Sequence, residues 1–254
     1  MEVIIVETAD EAGELAAGLI ADLARADPEI VLGLATGSSP EPLYRALSRR
    51  VAEGLDLSRA RGFALDEYVG IPAGHPASYH EVIRREVVVP LGMDQARVRV
   101  LDGLAADVDA ECADFERDIR AAGGVAVQIL GIGTDGHIGF NEPTSSLSSR
   151  TRIKTLTAQT RADNARFFDS IDEVPRHCLT QGIGTILEAR RLVLVASGTQ
   201  KAKAVAAAVE GPLTSFVPGS ALQLHPHATV IVDAAAAADL TLADYYREVY
   251  AAKP

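Results

Sequence analysis

LGIGTDGHIGFNEP, residues 130 to 143, follows the apolar run Val125-Ala126-Val127-Gln128-Ile129. Its four glycines, Gly131, Gly133, Gly136 and Gly139, let the backbone turn tightly or come close to a ligand. Among them sit an acid, an imidazole and a second acid: Asp135, His137 and Glu142. An apolar run that opens into glycines and titratable groups reads as a loop leaving the C-terminal edge of a buried strand, where open α/β sheets hold their ligands. The same residues also suit an ordinary surface turn, so the rest of the chain must decide.

Working outward, strand-like and helix-like patterns alternate. Glu2 to Val6 reads as a first strand, and Thr8-Ala9-Asp10-Glu11 as a capping box. Ala12, Leu15, Ala16, Leu19, Ile20 and Leu23 then recur at helical spacing. Ile30 to Ala35 is a nearly all-apolar strand, as expected where both sheet faces are covered. Glu41 to Val51 reads as a helix, Gly62 to Leu65 as a strand, and Ser78 to Arg85 as a capped helix. Arg97 to Val100 is strand-like, and Val108, Cys112, Phe115, Ile119 and Ala122 form a helical stripe with Cys112 in the core. Gly123-Gly124 closes that helix.

Beyond the central loop, Arg152 to Leu156 reads as a strand and Thr160 to Phe168 as helix, with a break at Pro175. Thr180 to Leu187 is expected to be helical, Arg191 to Ala196 a strand, Gly198 to Val209 a helix, and Thr229 to Val232 the last strand. Tyr245, Tyr246 and Tyr250 share a helical face that packs on the body or on a neighbouring subunit. The alternation predicts an α/β fold with a mainly parallel sheet. Without a linker or a shift in composition, the 254 residues read as one domain.

Composition narrows the function. Hydrophobic residues make up 48%, enough for a packed globule, and no apolar run is long enough to span a bilayer. The N-terminus lacks a basic signal-peptide region, so a cytoplasmic location is expected, with Cys112 and Cys178 as reduced thiols. A net charge of −11 argues against nucleic acid and against an anionic membrane surface. One region departs from that average. Thr144 to Phe168 carries Arg150, Arg152, Lys154, Arg161 and Arg166 against Asp163 alone, which suits a small anionic ligand as well as a solvated basic face.

A second anion signal lies at Thr36-Gly37-Ser38-Ser39-Pro40, between an apolar strand and a helix. Free N–H groups and the helix dipole there favour a phosphate, although an ordinary N-terminal turn has the same pattern. It is neither a P-loop nor a GxGxxG motif. Asp66-Glu67 follows a predicted strand and fits either helix capping or a catalytic carboxylate. His75, His80, His177, His225 and His227 read as structural. His225-Pro226-His227 lacks a nearby carboxylate or Cys to complete a metal set.

Taken together, LGLATGSSPEPLY, LDEYVGIPAGHPASYH, LGIGTDGHIGFNEPTSSLSSRTRIKTLT, TRADNARFF, SGTQKA and LQLHPHATVI make a chain that resembles the glucosamine-6-phosphate deaminases, also called glucosamine-6-phosphate isomerases. These segments span nearly the whole chain in family order. The resemblance implies an open, modified-Rossmann three-layer sandwich with a mobile lid, here roughly residues 156–180. It implies conversion of glucosamine 6-phosphate and water to fructose 6-phosphate and ammonia, with neither a metal nor an organic cofactor. By the same resemblance Asp66 is the enolisation base, His137 the ring-opening acid/base, and Asp135 and Glu142 the acids that orient and tune the imidazole. The phosphate falls to Thr36, Gly37, Ser38, Ser39, Arg166 and Lys201.

Some members are hexamers activated by N-acetylglucosamine 6-phosphate bound between subunits. The matching effector positions here are Ser145, Arg152, Lys154 and Thr155, whereas the C-terminal YYREVYAAKP matches the regulated members poorly. Two alternatives compete with this reading, and the full set Asp66, Asp135, His137 and Glu142 favours the deaminase. One is a 6-phosphogluconolactonase, which would not need Asp66 to move a C2 proton. The other is a sugar-phosphate sensor, which would normally carry a DNA-binding module; a first strand at residue 2 leaves no N-terminal room for one. Cys178 has no role in any of these readings.

Overall fold

The computed structural model describes residues 1–253. In chain order its strands are β1 (Glu2–Val6), β2 (Val31–Leu34), β3 (Arg61–Ala64), β4 (Asp66–Tyr68), β5 (Val98–Arg99), β6 (Val127–Leu130), β7 (Arg152–Thr155), β8 (His177–Thr180), β9 (Leu192–Ala196) and β10 (Ala228–Asp233). Its α-helices are α1 (Ala9–Ala26), α2 (Glu41–Ala52), α3 (Tyr79–Ile83), α4 (Val108–Ala121), α5 (Ala158–Asn164), α6 (Ile183–Leu187), α7 (Ala202–Val209) and α8 (Ala243–Ala251). Local chemistry sets several of these boundaries. Thr8 caps α1 through the Glu11 N–H, but Glu11 reaches back to the N–H of Glu7, one residue before the expected partner. Gly123 and Gly124 end α4 at φ of 86° and 79°, a region side chains rarely adopt.

Seven strands form one sheet in the order β1-β10-β9-β6-β2-β3-β5, every neighbouring pair parallel. Every residue of β2, β6 and β9 is buried. Alternate side chains point to opposite faces, so both faces of the sheet are covered and the three-layer α/β sandwich follows. Register is close at the centre. Gly33 of β2 lies opposite Gln128 of β6, and a Cβ at Gly33 would stand 2.0 Å from the Gln128 side-chain oxygen. Gly33 thus makes room for a buried amide, which donates to the Ile129 carbonyl at 2.9 Å.

The winding direction reverses between β2 and β6. From β2 the chain passes through β3 towards β5; from β6 it passes through β9 towards β10. The loops leaving β2 and β6 therefore diverge over one crevice. They stay in contact, because a Cβ at Gly131 would lie 3.1 Å from the Ser39 Cβ.

Beside this sheet lies an antiparallel one, β4-β8-β7, which the sequence did not announce. Asp66-Glu67-Tyr68 is a strand of it. Thr180, expected to open a helix, ends β8, and the helix starts only at Ile183. Pairing with β4 on one side and β7 on the other outweighs the local pattern. The last four residues of the 156–180 stretch therefore belong to this small sheet, which packs over Tyr68, Phe140, Leu156 and Cys178.

Candidate active site

Thr36 to Ser39 leaves the end of β2, where the Tyr44 hydroxyl clamps the backbone by donating to the Ala35 carbonyl and accepting from the Ala35 N–H. Gly37 takes a φ of 94°, and α2 begins after Pro40 with no side-chain cap. The first N–H groups of a 12-residue helix are thus left to a ligand or to water.

The loop after β6 is built around its imidazole. A Cβ at Gly133 would lie 2.2 Å from Cε1 of His137, so the ring rests on bare backbone there. Gly136, at φ 86°, turns the chain, and its carbonyl is held by the Gly219 N–H at 2.8 Å. Asp135 accepts from the His137 backbone N–H at 3.1 Å and also places Oδ1 2.6 Å from Nδ1 of the ring. That is the distance of a charge-assisted hydrogen bond, although the ring N–H does not point squarely along it. Partial desolvation would raise the pKa of Asp135, but the His137 contacts outweigh it and hold the carboxyl well below its usual range.

Glu142 completes the group. It is buried, and its Oε2 lies 3.9 Å from His137 Nδ1 with no protein hydrogen bond of its own. Its Oε1 accepts from the Thr160 hydroxyl at 2.5 Å, with the Thr157 hydroxyl and N–H farther off at 3.4 and 3.5 Å. One donor atom each from Asp135, His137 and Glu142 falls within 4.8 Å of the others, a spacing that would also admit a cation.

Asp66 approaches the same loop from β4. A Cβ at Gly139 would lie 3.5 Å from its Oδ2 and 3.1 Å from the Thr180 hydroxyl. Asp66 is buried, and burial, helped by neighbouring Glu67, pushes its carboxyl up to about 8. Glu67 has a different task. Its carboxylate accepts from the backbone N–H groups of Tyr68, Tyr79 and His80, fastening the start of α3. The two readings of this acidic pair therefore divide between its members: Asp66 faces the loop, and Glu67 caps a helix.

Lys201 closes the three-residue turn that leads into α7, at the end of β9. Burial holds its ammonium below the usual range, with Arg166 acting in the same sense and Asp163 and Asp135 opposing. The predicted cations Lys201 and Arg166 are therefore electrostatic neighbours, and Lys201 also feels Asp135. Phe168 fixes the segment carrying Arg166 by stacking on His75 and packing edge-on against Tyr68.

The four effector positions are less convergent. Arg152 and Lys154 share one face of β7, and Thr155 falls on the other, with Oγ1 3.2 Å from His177 Nδ1. Ser145 is buried with no partner for its hydroxyl. It follows Thr144, the one non-glycine residue with positive φ among those described, at 74°. Burial lowers the Arg152 guanidinium from its ordinary value. His225 is no metal ligand here, since Nε2 meets the Ala189 carbonyl and Nδ1 accepts from the His227 N–H. Cys178 is buried, and burial pushes its thiol up.

Sequence reasoning missed the residues that hold the loop. Asn141 donates to the carbonyls of Ile138 and Gln181, the Gln181 side chain donates to Ala64, and the Thr180 hydroxyl accepts from the Phe140 N–H. It also missed Thr157 and Thr160. Only Thr157 carried a signal, as a threonine three residues before a helix-compatible Thr160.

Residues 6–232 match the family model described as glucosamine-6-phosphate isomerases/6-phosphogluconolactonase. A protein of Streptomyces avermitilis named glucosamine-6-phosphate deaminase is 61% identical over 256 residues, covering 100% of this chain and 98% of the relative. The chain belongs to the glucosamine-6-phosphate deaminase family. A deaminase of Bifidobacterium longum subsp. infantis is 57% identical, over 100% of this chain and 97% of its own. Among solved structures, a monomeric glucosamine-6-phosphate deaminase superposes with a TM-score of 0.91 at 41% identity, over 94% of this chain and 100% of that one. The 6-phosphogluconolactonase of Trypanosoma cruzi, at 19% identity and a TM-score of 0.76 over 94% and 97% of the two chains, shares the fold. No helix among the described residues is long and apolar enough to cross a membrane.

Proposed function

We propose that this enzyme converts glucosamine 6-phosphate and water to fructose 6-phosphate and ammonia in amino-sugar catabolism, in the cytoplasm and without a metal or organic cofactor. The observation that carries the reading is the approach of buried Asp66 to Gly139, in the same loop that carries the Asp135–His137–Glu142 group. An aldose–ketose shift needs a base poised near neutrality at C2 and a separate acid/base at the ring oxygen. A carboxyl pushed up to about 8 and an imidazole flanked by two acids supply those two kinds of group.

The steps follow from the groups. His137 takes the anomeric hydroxyl proton and returns one to the ring oxygen, opening the sugar. Asp66 takes the C2 proton while an ammonium proton passes to O1, giving the enolamine; Asp66 then delivers its proton to C1, giving the C2 iminium, which water hydrolyses to the ketone with loss of ammonia. Asp135 holds the imidazole tautomer, and Glu142 supports the imidazolium as it forms. The Thr36–Ser39 loop with Lys201 and Arg166 receives the phosphate, and the segment that carries Arg166 closes over it. Lactone hydrolysis would leave the buried Asp66 without work.

Regulation by N-acetylglucosamine 6-phosphate through Ser145, Arg152, Lys154 and Thr155, together with assembly into a hexamer, belongs to the same proposal. One assay tests both parts. Purified protein is given glucosamine 6-phosphate over a range of concentrations, with and without N-acetylglucosamine 6-phosphate, and ammonia is measured. Ammonia release is expected, with a lower half-saturation point in the presence of the effector. No release would overturn the reaction; release with an unchanged curve would overturn the regulation.

A further inference from the structure

Glu142 faces two ways. Its Oε2 points towards the imidazole and has no protein donor, while Oε1 is held from the opposite side by Thr160. Terminal carboxylate torsions are broad, so a side chain like this does not fix its own plane. A single short donor on one oxygen does so, and the Thr160 hydroxyl at 2.5 Å is the closest. Thr160 is buried like Glu142, so water does not readily replace it. Its hydroxyl donates to Glu142 and lies 3.0 Å from the Thr157 hydroxyl, forming a short chain Thr157–Thr160–Glu142 in which each bond polarises the next.

The same short stretch carries Arg166. Thr157 caps α5, Thr160 lies in its first turn, and Arg166 sits in the 3₁₀ turn that continues it. The distance from Thr157 to Arg166 is roughly 14 Å along one continuous helical rod. One end reaches the carboxylate beside the imidazole and the other approaches Lys201.

We propose that Thr160 is a positioning residue which aims the free oxygen of Glu142 at His137 and ties that aim to the placement of α5. The inference rests on the proposed deaminase reading. Docking of α5 sets the carboxylate, and the segment that receives the phosphate at its far end thereby completes the imidazole's surroundings. Substrate that lacked the phosphate would leave that coupling unused.

The test compares ammonia release by wild type, Thr160→Val, Thr160→Ala and Thr160→Ser. Valine keeps the shape and removes the donor; alanine is the better helix former and keeps the test alive should valine fail to fold. The expected result is a fall in kcat of about tenfold or more in Val and Ala, with KM within about twofold, and recovery to within about threefold in Ser. A rise in KM at unchanged kcat would mean that Thr160 only steadies the segment bearing Arg166, and would overturn the inference. So would wild-type rates in Val and Ala, or a Ser variant as slow as Val. A wild type that releases no ammonia would instead overturn the deaminase reading and take the inference with it.

Discussion

Replacing Asp66 by Asn should destroy activity and stabilise the fold in the same protein, and the second effect should depend on pH. Burial, with Glu67 beside it, raises the Asp66 carboxyl from 3.8 to about 8. The folded chain therefore binds this proton more tightly than the unfolded chain, so the Asp66 contribution to stability is fully present below about pH 4 and is lost as pH rises towards 8. Each unit of pH inside that window costs at most about 1.4 kcal/mol. From 3.8 to 7 is about three units, which sets an upper bound of about 4 kcal/mol at pH 7; relaxation and water entry around the ionised group reduce it. Asn has the same shape and no charge to bury.

The assay is urea denaturation of both proteins at pH 5, 6, 7 and 8, beside measurements of turnover and of C2–solvent proton exchange. The variant should gain on wild type with rising pH, with no change in m-value, and the gap should level off above pH 8. Turnover and exchange should fall by about 10² or more, since an amide cannot take the proton. Wild-type kcat/KM should rise with pH, pass half its plateau value near pH 8 and level off only above it, because the free enzyme's base must be ionised. A stability gap that stays constant or reverses would refute the claim that Asp66 is a buried neutral acid. Normal proton exchange in the variant would remove it as the base.

His137→Gln should cut turnover on the cyclic sugar by about 10² or more while preserving the fold, as read by ammonia release and thermal unfolding. Gly133→Ala should push the ring off its backbone seat, where Cε1 stands 2.2 Å from the new Cβ. A displacement of about 1 Å can cost 10² in rate, so kcat should fall steeply while stability drops by no more than about 1–2 kcal/mol. Lys201→Ala should raise KM for glucosamine 6-phosphate; an equal loss with unphosphorylated glucosamine would remove the phosphate contact. Incubation with EDTA should leave ammonia release unchanged, and a loss restored by added Mg²⁺ or Zn²⁺ would turn Asp135, His137 and Glu142 into a metal centre.

The elements that follow from local pattern were legible before any coordinates. Apolar runs gave β2, β6, β9 and β10, and the Thr8 cap and the Gly123-Gly124 stop bounded their helices, because each signal acts within a few residues. The alternation of these elements implied the parallel sheet, and the glycine-rich 130–143 loop pointed at its C-terminal edge. Motif resemblance supplied the family, and with it the candidate roles of Asp66, Asp135, His137 and Glu142.

What lay beyond the sequence was whatever depends on partners far along the chain. The small sheet exists because β8 finds β4, more than 100 residues away, and that pairing turned an expected helix start at Thr180 into a strand end. The Asp66-Glu67 pair gives no local sign of which acid does which task. Only the backbone N–H groups of Tyr79 and His80 arriving at Glu67, and the loop arriving at Asp66, separate them. Nor could Thr160 be recognised as the donor to Glu142, since the two are 18 positions apart and the chain between them must fold back before they meet. Sequence by itself determined the kinds of chemical group and the sheet that presents them. Tertiary structure decided which groups are desolvated and which face one another, because burial and long-range contact are properties of the closed chain and of no segment alone.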